Sequence, residues 1–452
     1  MLNNIEKDLQ YIWHPYTQMK DHEKYPPILI TRAKGIHLFD DKGTMYYDTI
    51  SSWWCNIHGH NHPHINKAIK TQVEQLDHVL FAGFTHENAI TLAEKLVNIT
   101  PSNLTKVFYS DNGSTSVEVA LKISYQFWKN QGAHSKVKFI ALDNGYHGDT
   151  IGAMSVSGIS LFKEAFSPFL FHSYTIPSPY CYRCPMNMKQ NQCTSECLNP
   201  LKSLLHKNAN QIAAIILEPL VQAAGGMIIY PPAYLKNLYT LVKEYDIHII
   251  FDEVATGFGR TGRMFALEHV DIAPDFLCLS KGITSGYLPL GVTMTSDEIY
   301  EAFYADYTEQ KTFYHGHTFT ANPISTAAAI ASLEIFEQDD ALLKINQIIP
   351  HYHRMIEGLK KFPFIGDIRH LGMIGAIELV KDKERKTPFT FNERIGFKVY
   401  LEGLKKGLIL RPLGNIIYLF LPLCVHKDHL TSIFTKLYEL IEDLRRLVIK
   451  DI

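Results

Sequence analysis

Residues 247–282 read IHIIFDEVATGFGRTGRMFALEHVDIAPDFLCLSKG. Two short apolar runs stand inside this stretch, at 247–251 and 276–280. Their length and their Ile, Phe and Leu content predict buried strands. The first run ends in Asp252 and Glu253, the second in Lys281 and Gly282. In open α/β sheets, ligands bind beyond the carboxyl ends of the strands. An acid and a lysine at two such ends therefore point toward one cleft.

Runs of the same kind precede this stretch at 107–109, 137–141 and 212–217. Helical patterns separate them. From Val117, the positions Val117, Ala120, Leu121, Ser124, Phe127 and Trp128 keep helical spacing. Strands alternating with helices predict an α/β fold, a mostly parallel sheet covered on both faces. The segment 178–200, rich in Pro, Cys, Asn and Gln, breaks the rhythm and reads as an inserted loop. After about residue 335 the texture changes. A helical pattern over 341–360 leads to short apolar runs at 373–379 and 416–421 and a helical C-terminus, which predicts a smaller α+β domain. Three segments are expected: 1–60, joining the small domain and covering the active site; 61–335, the large domain with the insert; and 336–452, the small domain.

The 452 residues are too many for one ordinary domain. At 46% hydrophobic and 20% charged, the composition is that of a globular protein with a large core. A net charge of −2 favours neither nucleic acid nor an anionic membrane as partner. Residues 1–16 mix charges with apolar groups and do not read as a secretory signal. The longest apolar stretch, 408–425, is interrupted by Arg411, Pro412, Gly414 and Pro422, so no membrane span is expected. A cytoplasmic location, with the seven cysteines mostly free thiols, is the expectation.

Three strand ends carry the chemistry. After 107–109 comes Ser110-Asp111-Asn112-Gly113-Ser114-Thr115-Ser116. Gly113 lets a ligand approach the backbone, and the amides opening the following helix favour a phosphate; an ordinary helix cap is the competing reading. Asp252 can hold a protonated ring nitrogen, or be a loop acid or cap. Lys281, desolvated in a cleft, becomes an imine-forming amine; on a surface it is an unremarkable lysine. Taken together, a phosphate cradle, an acid and a lysine at three strand ends can clamp one pyridoxal 5'-phosphate at its phosphate, its ring nitrogen and its aldehyde carbon. Tyr146, after the run 137–141, either stacks on that ring or packs in the core.

The run from Phe251-Asp252-Glu253-Val254-Ala255-Thr256-Gly257-Phe258-Gly259-Arg260-Thr261-Gly262 to Leu279-Ser280-Lys281-Gly282 resembles the motif of class III (ω-) aminotransferases. Within that class, several segments resemble the branch that aminates 8-amino-7-oxononanoate in biotin synthesis. They are Trp13-His14-Pro15-Tyr16, Ser51-Ser52-Trp53-Trp54, Tyr146-His147-Gly148-Asp149-Thr150, Tyr314-His315-Gly316-His317-Thr318-Phe319 and Arg411-Pro412-Leu413-Gly414-Asn415. The resemblance covers about residues 11–425.

It implies the fold of type I pyridoxal-phosphate transferases, with a seven-stranded sheet. It implies Lys281 as the Schiff-base lysine, Asp252 as partner of the ring nitrogen, and Tyr146 as the stacking ring. Gly113 and Ser114 match the phosphate turn. Thr318, with His317 beside it, matches a phosphate contact made from the other subunit of a homodimer whose active sites lie at the interface. Tyr16, Trp53, Trp54, Tyr146, Asp149, Lys281, Gly316, Arg411 and Tyr418 match substrate contacts. Arg411 suits a carboxylate, and the aromatic residues suit an aliphatic chain. S-adenosylmethionine, or lysine in some relatives, is the implied amino donor. Position 317 departs from the pattern, which has Pro there. Another class III aminotransferase acting on a different amine, and a cofactor-binding protein without turnover, are the competing readings.

Cys181, Cys184, Cys193 and Cys197 form a CxxC-x8-CxxxC array in the insert. Such thiolates either hold zinc or an iron–sulfur cluster or stay reduced in a loop. No metal is assigned to them. Of the 22 histidines, His58, His60, His62 and His64 sit at i, i+2 spacing around Gly59 and Pro63, and read as structural or substrate-adjacent.

Overall fold

The computed structural model describes residues 2–189 and 192–448. Residues 190 and 191 of the insert, and residues 1 and 449–452 of the outer segments, lie outside the described residues.

The middle of the chain builds a seven-stranded sheet. In spatial order its strands are Lys106–Ser110, Gly291–Thr295, Phe276–Leu279, His248–Asp252, Ile212–Leu217, Lys138–Leu142 and Tyr174–Ile176. All pairs are parallel except those made by Gly291–Thr295, which runs against both neighbours. The five apolar runs named from the sequence are strands here, with ends shifted by a residue or so. Ile212–Leu217 is buried at every position, as a central strand covered on both faces must be.

The remaining two strands have no clear apolar pattern. Gly291–Thr295 reads GVTMT, and its polar side chains are satisfied locally: Thr293 Oγ1 donates to Ser116 O at 2.7 Å and Thr295 Oγ1 to Asp275 O at 2.9 Å. Tyr174–Ile176 is three residues long, too short for a periodic signal.

The helix expected from Val117 begins at Gly113 and runs to Asn130. Its cap is Asn112: the Asn112 side chain accepts from Thr115 N while Thr115 Oγ1 accepts from Asn112 N. That reciprocal pair satisfies two donors that the first turn leaves open. The helix buries Val117, Ala120, Leu121, Ser124, Phe127 and Trp128. The inserted loop gives way to a helix, Asn199–Asn208, because Pro200 suits a first helical turn, where no amide hydrogen is needed.

Two four-stranded sheets accompany the large one. Ile30–Lys34, His37–Asp40 and Met45–Asp48 pair in sequence, and Leu408–Ile409 adds in parallel beside Met45–Asp48. Ile365–Leu371, Ile374–Asp382 and Ile416–Phe420 form the other, with Thr387–Pro388 at its edge. One continuous core joins residues of all three regions, including Trp54, Ile215, Phe251, Tyr352 and Phe420. Among the described residues, no helix is long and apolar enough to cross a membrane.

Candidate active site

A cavity of about 600 Å³ opens at the carboxyl ends of the parallel strands. Asp111–Ser114 follow the first edge strand, Tyr146–Thr150 follow Lys138–Leu142, Glu218 directly follows Ile212–Leu217, and Lys281 follows Phe276–Leu279 with Ser280 between; Asp252 ends its own strand. All of them line this one space, as do Trp54, Cys55 and residues 288–290, which lead into the antiparallel strand.

Lys281 has a left-handed backbone, with φ 40°. Its Nζ lies 5.2 Å from the centre of the Trp54 ring. Burial pushes its ammonium below the usual lysine range, and the negative charges of Asp252 and Glu218 oppose that only in part. The amine thus gives up its proton more readily than an exposed lysine does.

Asp252 is buried and held at both oxygens. Oδ1 accepts from Val254 N at 3.0 Å, and Oδ2 lies 2.7 Å from His147 Nδ1. Glu218 is also buried, and its two oxygens accept from Tyr146 N at 3.1 Å and Ala223 N at 2.9 Å. Burial pushes the Glu218 carboxyl up to about 7, with the Asp252 charge adding to the rise and His147 opposing it.

Small residues shape the opposite end. A methyl at Gly113 would meet Val254 Cγ1 at 2.7 Å. At Gly148, where φ is 125°, a methyl would fall 1.9 Å from Ser114 Oγ. Ser114 Oγ accepts from Asp149 N at 3.1 Å, tying the helix start to the loop that carries Tyr146.

A second cluster stands beside the cavity. Tyr16 Oη donates to Asp149 Oδ1 at 2.6 Å and approaches Tyr146 Oη at 3.4 Å. Its ring meets Trp53 edge-on at 5.9 Å, and the Arg411 guanidinium lies 4.0 Å over the Trp53 ring. Trp53 and Trp54 sit on a turn of four left-handed residues, Ser51, Ser52, Trp53 and Trp54, with φ of 50°, 45°, 74° and 74°. The turn sends Trp54 into the core and leaves Trp53 37% exposed. From inside, the buried Arg260 donates to Ser51 Oγ and to the carbonyls of Trp54, Asn56 and Leu421 at 2.7–3.2 Å. Burial pushes that guanidinium down to about 9.

Most residues singled out from the sequence therefore converge: Lys281, Asp252, Tyr146, Gly113, Ser114, Asp149 and Trp54 on the cavity, with Tyr16, Trp53 and Arg411 beside it. Tyr418 is fully buried behind Trp54, ring centres 6.0 Å apart, so it backs the wall without facing the cavity. Gly316, His317 and Thr318 stand apart from the cavity of their own chain, on a segment where Thr320 Oγ1 donates to His317 O at 2.8 Å.

Glu218 and the pairing of His147 with Asp252 escaped the sequence reading. Glu218 was within reach of the rule that found Asp252, since it directly follows the apolar run 212–217. His147 appears in the sequence only as a neighbour of Tyr146, and nothing local marks its partner 105 residues away.

The paired histidines take separate structural partners: His58 with Ser332 O, His60 with Asp48, His62 through its backbone with Tyr287, and His64 with Glu334. Cys181, Cys184 and Cys193 are half-buried free thiols and Cys197 is a buried one. Among the described residues, no group of three or more His, Cys, Asp or Glu side chains is placed to hold a metal ion.

A model of the family "Aminotransferase class-III" matches residues 18–441. The adenosylmethionine-8-amino-7-oxononanoate aminotransferase of Geobacter sulfurreducens is 46% identical over 424 residues, 94% of each chain. The protein of that name from Methanocaldococcus jannaschii is 44% identical over 98% of each chain. Its crystal structure superposes with a TM-score of 0.91, covering 96% of this chain and 98% of that one at 43% identity. An omega transaminase from Pseudomonas jessenii in complex with PMP gives a TM-score of 0.94 at 29% identity, over 99% of each chain.

Proposed function

Because this chain belongs to the class III aminotransferases, we propose that it transfers an amino group to the ketone of 8-amino-7-oxononanoate, giving 7,8-diaminononanoate, a step of biotin synthesis. The amino donor is S-adenosylmethionine. The observation that carries the reading is the placing of Lys281 and Asp252 on one cavity, at adjacent strand ends. Relatives named for this reaction, 40–46% identical over nearly the full length, supply the substrate.

The residues present fit pyridoxal 5'-phosphate. Gly113 and Gly148 leave a cradle that a Cβ would fill, at the N-terminus of an 18-residue helix whose first amides favour an anion. Asp252 offers a fixed carboxylate for the ring nitrogen, Tyr146 a ring for its face, and Lys281 an amine for its aldehyde. When bound, the cofactor supplies an electrophilic carbon for amines and a ring that accepts the electrons of the broken C–H bond.

The chain's own residues do the rest. His147 and Val254 N fix the rotamer of Asp252, so its charge is aimed before substrate arrives. Lys281 Nζ, its basicity lowered by burial, takes a proton from the donor's carbon and later delivers one to the product. Tyr16, Trp53 and Trp54 cover an aliphatic chain and exclude water. Arg411, half-buried on the Trp53 face, pairs with a carboxylate. Thr318 and His317, remote from their own cavity, serve the site of a second copy in a cytoplasmic homodimer.

The test has two arms. Protein loaded with pyridoxal phosphate and treated with borohydride should carry a stable adduct on Lys281 by peptide mass spectrometry. The holoenzyme should aminate 8-amino-7-oxononanoate with S-adenosylmethionine, and far more slowly with lysine. Label on some other lysine removes the assignment of Lys281; turnover with lysine alone overturns the donor.

A further inference from the structure

The turn Ser51–Trp54 holds four successive left-handed residues and contains no glycine to relieve them. Asp48, 1% exposed, grips it as well. Asp48 Oδ1 accepts from Ser52 N at 2.8 Å, and Oδ2 accepts from Ser52 Oγ at 2.7 Å. His60 Nε2 lies 2.8 Å from the same Oδ2.

Asn56 fixes which histidine nitrogen donates. Asn56 Oδ1 accepts from Gly59 N at 2.8 Å, so its Nδ2 faces His60 Nδ1 at 3.1 Å. Nδ1 must then accept, and the proton sits on Nε2, directed at Asp48. Each contact in the cluster thus pairs a donor with an acceptor. Neither Asp48 nor His60 lines the cavity.

We propose that Asp48 and His60 are positioning residues for the substrate: they latch the left-handed turn so that Trp53 stands under Arg411 and against Tyr16. The inference rests on the functional reading above, which gives Trp53 and Arg411 the acceptor's chain and carboxylate. Without the latch the turn relaxes at Ser52 and Trp53 toward right-handed backbone, which swings the Trp53 indole, while Arg260 still holds Trp54. The fault appears in binding and leaves the chemistry at Lys281 nearly intact.

The holoenzyme and three variants, His60→Ala, His60→Gln and Asp48→Asn, decide it. His60→Ala should raise KM for 8-amino-7-oxononanoate about tenfold while kcat falls less than about threefold. His60→Gln, whose amide still donates, should recover most of that loss. Asp48→Asn should be at least as impaired as His60→Ala, since its amide hydrogens face the His60 proton. A second readout is independent of turnover: in a Trp13→Phe background, acrylamide quenching of tryptophan emission should rise in His60→Ala and return in His60→Gln. An unchanged KM, a loss confined to kcat, equal loss in Ala and Gln, or unmoved quenching overturns the proposal. A wild-type protein that binds cofactor yet leaves the ketone untouched sinks the functional reading alone, and the quenching arm then decides the latch.

Discussion

At Asp252, a carboxylate leaves the central strand with one oxygen on a backbone amide and the other on His147. A charge so fixed costs no reorganisation when the reaction needs it. Asp252→Ala should retain measurable cofactor binding while kcat falls by about a hundredfold or more, read in a steady-state assay. Arg411→Met keeps the stem over Trp53 but removes the charge. It should raise KM for the ketone by roughly 10–100-fold, the equivalent of one charged hydrogen bond. A third expectation concerns acid. His248 is buried against Trp128 and Ser124, and burial pushes it down to about 3. Unfolded, it takes up a proton near pH 6.5, which the folded form refuses. Its stabilisation is therefore complete above pH 6.5 and is lost between pH 6.5 and about 3, at about 1.4 kcal/mol per pH unit. Glu218 and Glu253, both pushed up to about 7 by burial, act with the opposite sign between their unfolded values and pH 7. The comparison is thus between wild type and His248→Gln in urea titrations at pH 7.5 and 5.5. The variant should lose less stability in acid. At this scale the sequence disclosed residues that end an apolar run, such as Lys281 and Asp252. It was silent on His147, whose role exists only through a contact made by folding.

The turn Ser51–Trp54 and the helix start at Gly113 show how elements spend local stability on geometry. A left-handed residue with a Cβ costs roughly 1–2 kcal/mol, and this turn has four. Arg260, Asp48 and Ser51 offset that with hydrogen bonds, Ser51 Oγ donating to Phe420 O at 2.6 Å. At the helix start the requirement is space. Gly113→Ala should weaken pyridoxal-phosphate binding at least tenfold, because a 2.7 Å approach to Val254 has no slack. Gly148→Ala should be worse, since it adds backbone strain at φ 125° to an overlap with Ser114. Absorbance titration of cofactor-free protein measures both. Elements with one dominant periodicity were legible: the run 212–217 as a strand, and the spacing after Val117 as a helix. Gly291–Thr295 was not, because its threonines satisfy themselves against backbone carbonyls and erase the apolar pattern. The left-handed turn was invisible too, since nothing in Ser-Ser-Trp-Trp announces positive φ.

Across the whole molecule, the cavity is assembled from segments far apart in the chain, and Gly316, His317 and Thr318 are left unused by their own copy. If they complete the neighbouring site, two crippled variants should rescue one another. Lys281→Ala protomers mixed with Thr318→Arg protomers, after exchange, form mixed dimers in which one site carries both lesions and the other neither. Activity should return well above either parent, and sedimentation should show a dimer throughout; additive, unrescued activity would place Thr318 outside the site. The alternation of strands and helices made the large sheet foreseeable. Which strands of the first and last segments pair was not, because pairing partners that distant leave no local trace. That pairing has a temporal cost. Met45–Asp48 finds its outer neighbour in Leu408–Ile409, near the opposite end of the chain. At about 5–20 residues per second, the ribosome delivers that neighbour tens of seconds after the first strand has emerged. The aromatic turn that follows Met45–Asp48 lacks its contacts with Arg411 and Phe420 for that interval, so a nascent polypeptide halted before residue 408 has no finished binding site.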